Sequence, residues 1–143
     1  MTTQDNPPSK TMIDSGTEWE ALAGYSRAVR HGNQIYISGT TATNERGEVV
    51  GLDDPAEQTQ YIIDKFARTL AQLESRLEDI VRTRIYLRRV DDWEPVARVH
   101  GERFGTIRPA NTLVQALLVG EEYLVEMEAD AVIGAGDRVN NQL

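Results

Sequence analysis

Residues 80–89, IVRTRIYLRR, constrain the fold more than any other stretch of this 143-residue chain. Most of the run alternates between uncharged, mainly apolar side chains and basic ones, which is typical of a β-strand with one covered and one polar face. One face would carry Val81, Thr83, Ile85 and Leu87, and the other Arg82, Arg84, Tyr86 and Arg88. Because only one face is apolar, the sequence predicts a sheet that packs a helical layer on a single side.

The segments before this strand predict a hairpin and a helix. Residues 25–39 contain two β-type runs around His31-Gly32-Asn33, and a Gly-Asn pair is typical of a tight hairpin turn. Asp54 is placed as an N-cap and Pro55 as the first helical residue, which predicts an amphipathic helix from about Pro55 to Leu77. Its apolar stripe consists of Ile62, Phe66, Leu70 and Leu73.

The segments after the strand predict a second helix and two more strands. Asp91 or Asp92 is expected to cap a helix over residues 93–105, WEPVARVHGERFG. The β-type runs 112–119 and 123–133 are separated by Gly120-Glu121-Glu122, which predicts another hairpin. The predicted order is therefore ββαβαββ, an α+β fold with an antiparallel-rich sheet and two helices on one face.

The length of the chain suits one domain. Residues 1–17 are rich in small polar side chains, and residues 135–143 lack apolar periodicity, so both are predicted to be flexible tails. The ordered domain is accordingly predicted to span residues 18–134.

Composition excludes several classes of function. The chain has no cysteine, which rules out disulfides, thiolate catalysis and thiolate metal sites, and its two histidines are far apart in sequence. A net charge of −8 disfavours binding to nucleic acid and to anionic membranes. The N-terminal residues are polar and no window is long and apolar enough to span a bilayer. We therefore expect a cytoplasmic protein with no cofactor, no metal, no membrane partner and no nucleic-acid partner.

The polar face of the predicted sheet admits two interpretations. Its expected members are Tyr36, Ser38, Arg82, Arg84, Arg88, Glu126, Glu128 and Asp130. Antiparallel sheets often have a solvated face with cross-strand charge pairs, which is the simpler interpretation. The alternative is that this face closes against copies of the same chain and leaves polar pockets between subunits. The strand pattern alone does not separate the two.

Seven short runs together resemble one protein family. They are Gly24-Tyr25, ISGT (37–40), Gln58-Thr59, DIVRTRIYL (79–87), DDWEPV (91–96), RPANT (108–112) and VEMEADAV (125–132). In this order and spacing they resemble the RidA family, also called YjgF, of reactive intermediate deaminases. The resemblance implies a fold like that of the AroH-type chorismate mutase, assembled as a homotrimer with clefts between subunits. It therefore favours the second interpretation of the polar face.

The resemblance also implies an activity and a set of site residues. Well-known members of the family hydrolyse enamines and imines to a ketoacid and ammonia without a cofactor. By resemblance, Tyr25 is the cleft tyrosine, Ser38 and Gly39 face the ligand, and Glu126 positions water. Each also has a structural interpretation. Tyr25 could be an interface aromatic, Ser38 a hydroxyl bonded to the backbone, and Glu126 the partner of a strand arginine.

The chain departs from the family where members carry the arginine of a Pro-Ala-Arg motif, which holds the substrate carboxylate. Asn111 stands there, and an amide cannot supply a charged bidentate contact. Pro109 is expected to make Arg108 extended and to place Asn111 at a strand entrance, with Arg108 as a potential substitute cation. Simple amino-acid-derived imines are thus expected to be poor substrates.

The chain also resembles a branch of the family with Trp-Glu before Gly-Tyr and His-Gly-Glu in the second helix. Here these are Trp19-Glu20 and His100-Gly101-Glu102, which places Glu20 and His100 near the predicted cleft. An acid there would disfavour an anionic ligand. Three hypotheses follow: an imine-deaminase-type hydrolase with altered or lost classical activity, a non-catalytic trimer that binds or senses a small molecule, and an RNA-directed activity.

Overall fold

The computed structural model describes residues 6–142 and contains six strands and three α-helices within them. The strands are β1 (Lys10–Ile13), β2 (Ala28–His31), β3 (Gln34–Thr40), β4 (Ile80–Leu87), β5 (Ala110–Gln115) and β6 (Val125–Val132). The helices are α1 (Glu18–Ala23), α2 (Pro55–Gln72) and α3 (Trp93–Phe104). Within residues 6–142, no helix has the length and apolar character that a membrane span requires.

All six strands form one sheet in the order β1-β2-β3-β6-β4-β5. Neighbouring strands are antiparallel except β4 and β5, which are parallel. The predicted stripe of α2 is buried, with Ile62, Phe66 and Leu70 fully inaccessible. It packs in one core with apolar residues of β3, β4, β6 and α3. The predicted α+β fold, with an antiparallel-rich sheet and its helical layer on one face, is confirmed.

The predicted hairpin at residues 25–39 is confirmed as β2 and β3, which are joined by a turn at Gly32 with φ 62°. The second predicted hairpin is wrong, because β6 lies between β3 and β4 and does not pair with β5. In place of a tight turn, the chain between β5 and β6 forms a longer loop that Arg88 holds. The Arg88 guanidinium donates to the carbonyl oxygens of Leu118, Gly120 and Tyr123 at 2.6–2.8 Å, which fixes the connecting loop at the end of β4.

Helix α2 ends at Gln72, five residues before the predicted end at Leu77. Glu74 has φ 63°, and the backbone N–H groups of Glu74 and Ser75 donate to the carbonyls of Ala71 and Leu70. These two bonds form a Schellman motif. Glycine usually occupies the left-handed position of this motif, so a glutamate there gave no signal in the sequence.

Other local predictions are corrected in detail. Asp92 is the N-cap of α3, but its side chain makes no capping hydrogen bond and instead pairs with Arg89 at 3.4 Å. A register irregularity between Ile80 and Arg82 puts Val81 outside the predicted apolar row, and it is exposed. The remaining aliphatic residues of that row are buried as predicted.

Both predicted tails include residues that contact the rest of the fold. Strand β1 lies within the predicted 1–17 tail, since Lys10–Ile13 pairs with β2, while residues 1–5 lie outside the described part. Within the predicted 135–143 tail, Asp137 pairs with Arg76 and the Gly136 N–H donates to Asp79. These contacts are with residues distant in sequence, which apolar periodicity does not detect. The single-domain boundaries remain predictions.

Candidate functional site

Two side-chain clusters contain most of the residues that the sequence singled out. The first, the Glu126 cluster, consists of Tyr25, Arg27, Ser38, Gly39 and Glu126, at the ends of β2, β3 and β6. The second, the His100 cluster, consists of Thr83, His100 and Asn111, between α3 and the β4–β5 pair.

Gly39 allows the Glu126 carboxyl to lie against the backbone of β3. A Cβ at residue 39 would be 3.3 Å from the carboxyl carbon of Glu126, slightly tighter than ordinary contact, and 3.4 and 3.5 Å from its two oxygens. The register between β3 and β6 shifts between Ile37 and Thr40, so this glycine lies in an irregular part of the strand pair. The irregularity brings the backbone of β3 close to an acid on the neighbouring strand.

Glu126 is half-buried, and its carboxyl forms no hydrogen bond or ion pair with any other side chain or backbone group in the 6–142 range. Burial raises its pKa, the charge of Arg27 opposes this, and Glu128 adds to the rise. A carboxyl with a raised pKa that still reaches solvent holds and returns a proton more readily than an ordinary surface carboxylate. This is the property that an acid–base group requires.

Ser38 and Tyr25 complete the Glu126 cluster. The Ser38 hydroxyl donates to the Ser26 carbonyl at 2.7 Å, which agrees with its structural interpretation and leaves its oxygen able to accept. The Tyr25 ring is 39% exposed, with its centroid 6.0 Å from the guanidinium carbon of Arg27. Tyr25 is therefore accessible to a ligand or to another chain.

Arg27 is a site residue that the sequence analysis missed. It is only 8% exposed, and one of its terminal nitrogens donates to the Gly39 carbonyl at 2.6 Å. Periodicity gave no signal for it, because Arg27 precedes β2 and lies at the end of the sheet.

Glu20 lies behind Arg27 and is 3% exposed, so it is not at an accessible rim. Burial would raise its pKa, but hydrogen bonds from Ser15 and Thr17 and the charge of Arg27 lower it to about 2. Thr17 and Glu20 have the spacing of a capping box, a sequence signal that could have located α1.

Lys65 of α2 secures the end of β3. Its ammonium donates to the carbonyl oxygens of Thr41 and Thr43 at 2.9 and 3.0 Å. Burial, followed by the charges of Arg27 and Arg68, lowers its pKa to about 8. The lysine thus fixes the loop that follows the Glu126 cluster.

Asn111 is exposed and turns its amide nitrogen inward. Its Nδ2 donates to the Thr83 hydroxyl at 2.9 Å and lies 3.4 Å from the Thr83 carbonyl oxygen. The Thr83 hydroxyl in turn lies 2.8 Å from His100 Nε2. The hydroxyl accepts from Asn111 and keeps one proton and one further acceptor position, so it donates to an unprotonated Nε2 or accepts from a protonated one, according to the His100 tautomer. Burial lowers the pKa of His100, which favours the neutral imidazole.

Thr83 was also missed as a site residue, although the sequence contained a signal. It is a polar residue in an otherwise aliphatic row and is fully buried, and buried hydroxyls have hydrogen-bond partners. That row faces the helices, so a histidine of α3 was available as the partner.

Arg108 lies in neither cluster. It was predicted to be extended, but it has φ 54°, because its N–H donates to the Phe104 carbonyl at 2.8 Å and closes the turn after α3. Its side chain lines an open cleft of about 470 Å³ with residues 135, 136 and 138–140.

The two clusters are separated within one chain. Strand β3 carries Ser38 and Gly39, β5 carries Asn111, and β6 and β4 lie between them. Three strand spacings correspond to about 14 Å. Convergence of Asn111 with Tyr25 and Glu126 therefore requires a second copy of the chain and remains a prediction. Among residues 6–142, no group of histidine and acidic side chains has the arrangement of a metal site.

Comparison with known proteins agrees with this architecture. The sequence profile of the family described as "Endoribonuclease L-PSP" matches residues 15–133. The chain belongs to this family. A 3-aminoacrylate deaminase, RutC, from Acinetobacter baylyi is 31% identical over 87% of this chain and 98% of its own. An uncharacterised protein of Streptomyces coelicolor is 34% identical over 87% of this chain and 93% of its own.

Solved structures also match. A member of the YjgF/YER057c/UK114 family from Mycobacterium tuberculosis has a TM-score of 0.79 and 40% identity, covering 87% of this chain and all of that one. The YjgF protein of E. coli has a TM-score of 0.74 and 26% identity, covering 87% and 98% of the two chains. The resemblance to the RidA family is confirmed.

Proposed function

We propose that this protein is a cofactor-independent hydrolase of small enamines or imines, with Glu126 as its acid–base group. The observation that carries the proposal is the Glu126 carboxyl, which is half-buried against Gly39, free of hydrogen bonds within residues 6–142 and raised in pKa. A carboxyl that accepts and returns a proton meets the needs of hydrolysis at a carbon–nitrogen double bond. The name of the RutC relative supports the same class of reaction.

The reaction needs one water molecule and one group that moves protons. The Glu126 carboxylate takes a proton from water as the water oxygen bonds to the imine carbon. The carboxyl then returns this proton to the nitrogen, which gives a carbinolamine. A second proton passes from the carbinolamine hydroxyl through Glu126 to the nitrogen as the carbon–nitrogen bond breaks, so ammonia and a carbonyl product leave and Glu126 is a carboxylate again. An enamine first receives a proton from the protonated Glu126 carboxyl at its β-carbon, which makes it an iminium ion that water attacks in the same way.

The complete cleft is proposed to form between copies in a homotrimer. Strand β5 is an edge strand, and the loop that follows it exposes Leu117 by 93% and Val119 by 81%. An exposed edge next to apolar side chains favours association with another chain. Sedimentation equilibrium at micromolar concentration should give three times the mass of one chain, and a monomer would contradict the assembly.

The substrate is proposed to lack a carboxylate next to Asn111. The amide nitrogen faces Thr83, so its outward group is the carbonyl oxygen, which accepts hydrogen bonds and repels a carboxylate. The missing charge-assisted contact should cost on the order of 2–4 kcal/mol, or about two to three decades in rate, toward a carboxylate-bearing imine.

Ammonia release from 2-iminobutyrate and from 3-aminoacrylate tests the proposal. We expect slow turnover by the wild type, none by Glu126→Gln, and a rise of about 100-fold in Asn111→Arg. Arg108→Ala shows whether the guanidinium of the neighbouring Arg108 contributes to turnover. Wild-type activity that survives Glu126→Gln would refute the role of Glu126, and robust activity that survives Arg108→Ala would show that neither residue 108 nor 111 must supply a cation.

Binding without turnover is the second candidate, and the inward amide of Asn111 favours it. Thermal shift against 2-ketoacids, amines and short RNA separates these functions, since a ligand stabilises the folded state according to its occupancy. RNA has the least support. The net charge is −8, and Arg84 of the polar face pairs with Asp130 at 3.3 Å and Glu128 at 3.8 Å.

A further inference from the structure

Arg27 is held by fewer contacts than its burial requires. Of its nitrogens, Nη2 donates to the Gly39 carbonyl, while Nε is buried and has no partner in the part of the chain the structure describes. Negative charge is nearby on both sides, from Glu20 behind it and Glu126 ahead of it. A buried guanidinium between two acids acts on both through its charge, in addition to its hydrogen bond to Gly39.

The residue that Arg27 holds is also the residue that contacts Glu126. Gly39 presents its carbonyl to Arg27 and its Cα to the Glu126 carboxyl. The register shift between Ile37 and Thr40 interrupts the regular pairing with β6 here, so the arginine supplies a backbone contact in this irregular stretch.

We propose that Arg27 is a positioning residue for Glu126, holding Gly39 against the carboxyl and supplying the positive charge that faces it. The inference deepens the proposed function, since it assigns a residue that prepares the acid–base group. Among the described residues, five other ionisable groups face Glu126 or the arginine: Glu128 on the same strand as Glu126, Tyr86 on β4, Glu20 of α1, Lys65 of α2, and Tyr25 just before β2.

The charge of Arg27 has a definite direction of effect. Burial and Glu128 raise the pKa of Glu126, whereas Arg27 lowers it. Loss of the guanidinium therefore leaves the two raising effects unopposed. An opposite charge at close range typically moves a carboxyl pKa by about 1–3 units, so a shift of at least about one unit is expected.

Carbon-13 NMR of the Glu126 carboxyl across pH tests this without any substrate. Arg27→Gln should raise the Glu126 titration midpoint by about one pH unit or more. Arg30→Gln is the matched control, because Arg30 lies on β2 three residues after Arg27 and bonds to Leu73, Gly32 and Glu74 instead. It should leave the midpoint unchanged. An unchanged midpoint in folded Arg27→Gln would overturn the proposal.

A second measurement covers the case in which Arg27→Gln does not fold. In the wild type, the nitrogen-15 signals of the Arg27 guanidinium should titrate with the Glu126 midpoint, and Glu126→Gln should abolish that step. Arg27 signals that do not respond in this range would also overturn the proposal. Neither experiment uses turnover, so absence of hydrolase activity would refute the proposed function and leave the positioning role to be decided by NMR.

Discussion

Replacing Thr83 by valine removes the hydroxyl that links Asn111 to His100 and changes the side-chain volume very little. Thr83 is fully buried, so water cannot take the place of the lost hydroxyl at this point. Both hydrogen bonds are lost, because the hydroxyl accepts from Asn111 Nδ2 at 2.9 Å and lies 2.8 Å from His100 Nε2. The substitution therefore isolates the polar link from the packing of the core.

The two lost bonds should have unequal costs. Asn111 is exposed and its amide can bind water, so the loss of its hydrogen bond to Thr83 changes the free energy of unfolding little. His100 is partly buried, and its Nε2 loses its hydrogen-bond partner. An unsatisfied group of this kind costs about 1–3 kcal/mol, and partial access of water favours the lower half of the range. The expected loss is about 1–2 kcal/mol, or roughly 3–8 °C in Tm for a chain of this size.

Urea unfolding at pH 8 and fixed protein concentration measures the effect with His100 neutral. Thr112→Val is the control, because Thr112 is exposed on β5 opposite Arg84 and should change the free energy of unfolding by less than about 0.5 kcal/mol. The nitrogen-15 signal of His100 Nε2 should also differ between the wild type and Thr83→Val, because the substitution removes its hydrogen-bond partner. If Thr83→Val is as stable as the wild type, or the Nε2 signal does not change, the assignment of the Asn111–Thr83–His100 link is wrong.

Two further predictions concern stability. Glu20→Gln should lower the free energy of unfolding near neutral pH, because the pKa of Glu20 is about 2 in the folded chain against the ordinary 4.5. This difference corresponds to a stabilisation of about 3 kcal/mol at most, which is present above pH 4.5 and is lost as pH falls toward 2. Unfolding curves at pH 7 and pH 3 should show this difference shrink, and exposed Glu18→Gln should show none; a difference that persists at low pH would contradict it. Gly101→Ala should stabilise α3 by about 0.5–1 kcal/mol, because a Cβ there has no neighbour within 4 Å. Gly51→Ala, at φ 78° and 3.1 Å from the Gln58 nitrogen, should destabilise, and equal Tm shifts for the two would refute the comparison.

The sequence determined the elements whose residues repeat with a clear period. The buried stripe of α2, the aliphatic row from Thr83 to Leu87 and the Gly32 turn were predicted because periodicity and glycine report local backbone geometry and burial. The resemblance to the RidA family also came from short runs along the chain. These runs alone placed Ser38, Gly39 and Glu126 among the candidate site residues.

The tertiary structure alone decided which side chains meet. Strand β6 lies between β3 and β4, and Arg88 holds the loop before it by its backbone carbonyls, a contact that no local pattern encodes. The inward turn of Asn111 depends on Thr83, which is 28 residues away in the sequence. The contact of Gly39 with Glu126 depends on the irregular pairing of β3 and β6. Arg27 resembles any surface arginine in the sequence. It becomes part of the site because the ends of β2, β3 and β6 bury it beside two acids, and burial is a property of the assembled sheet.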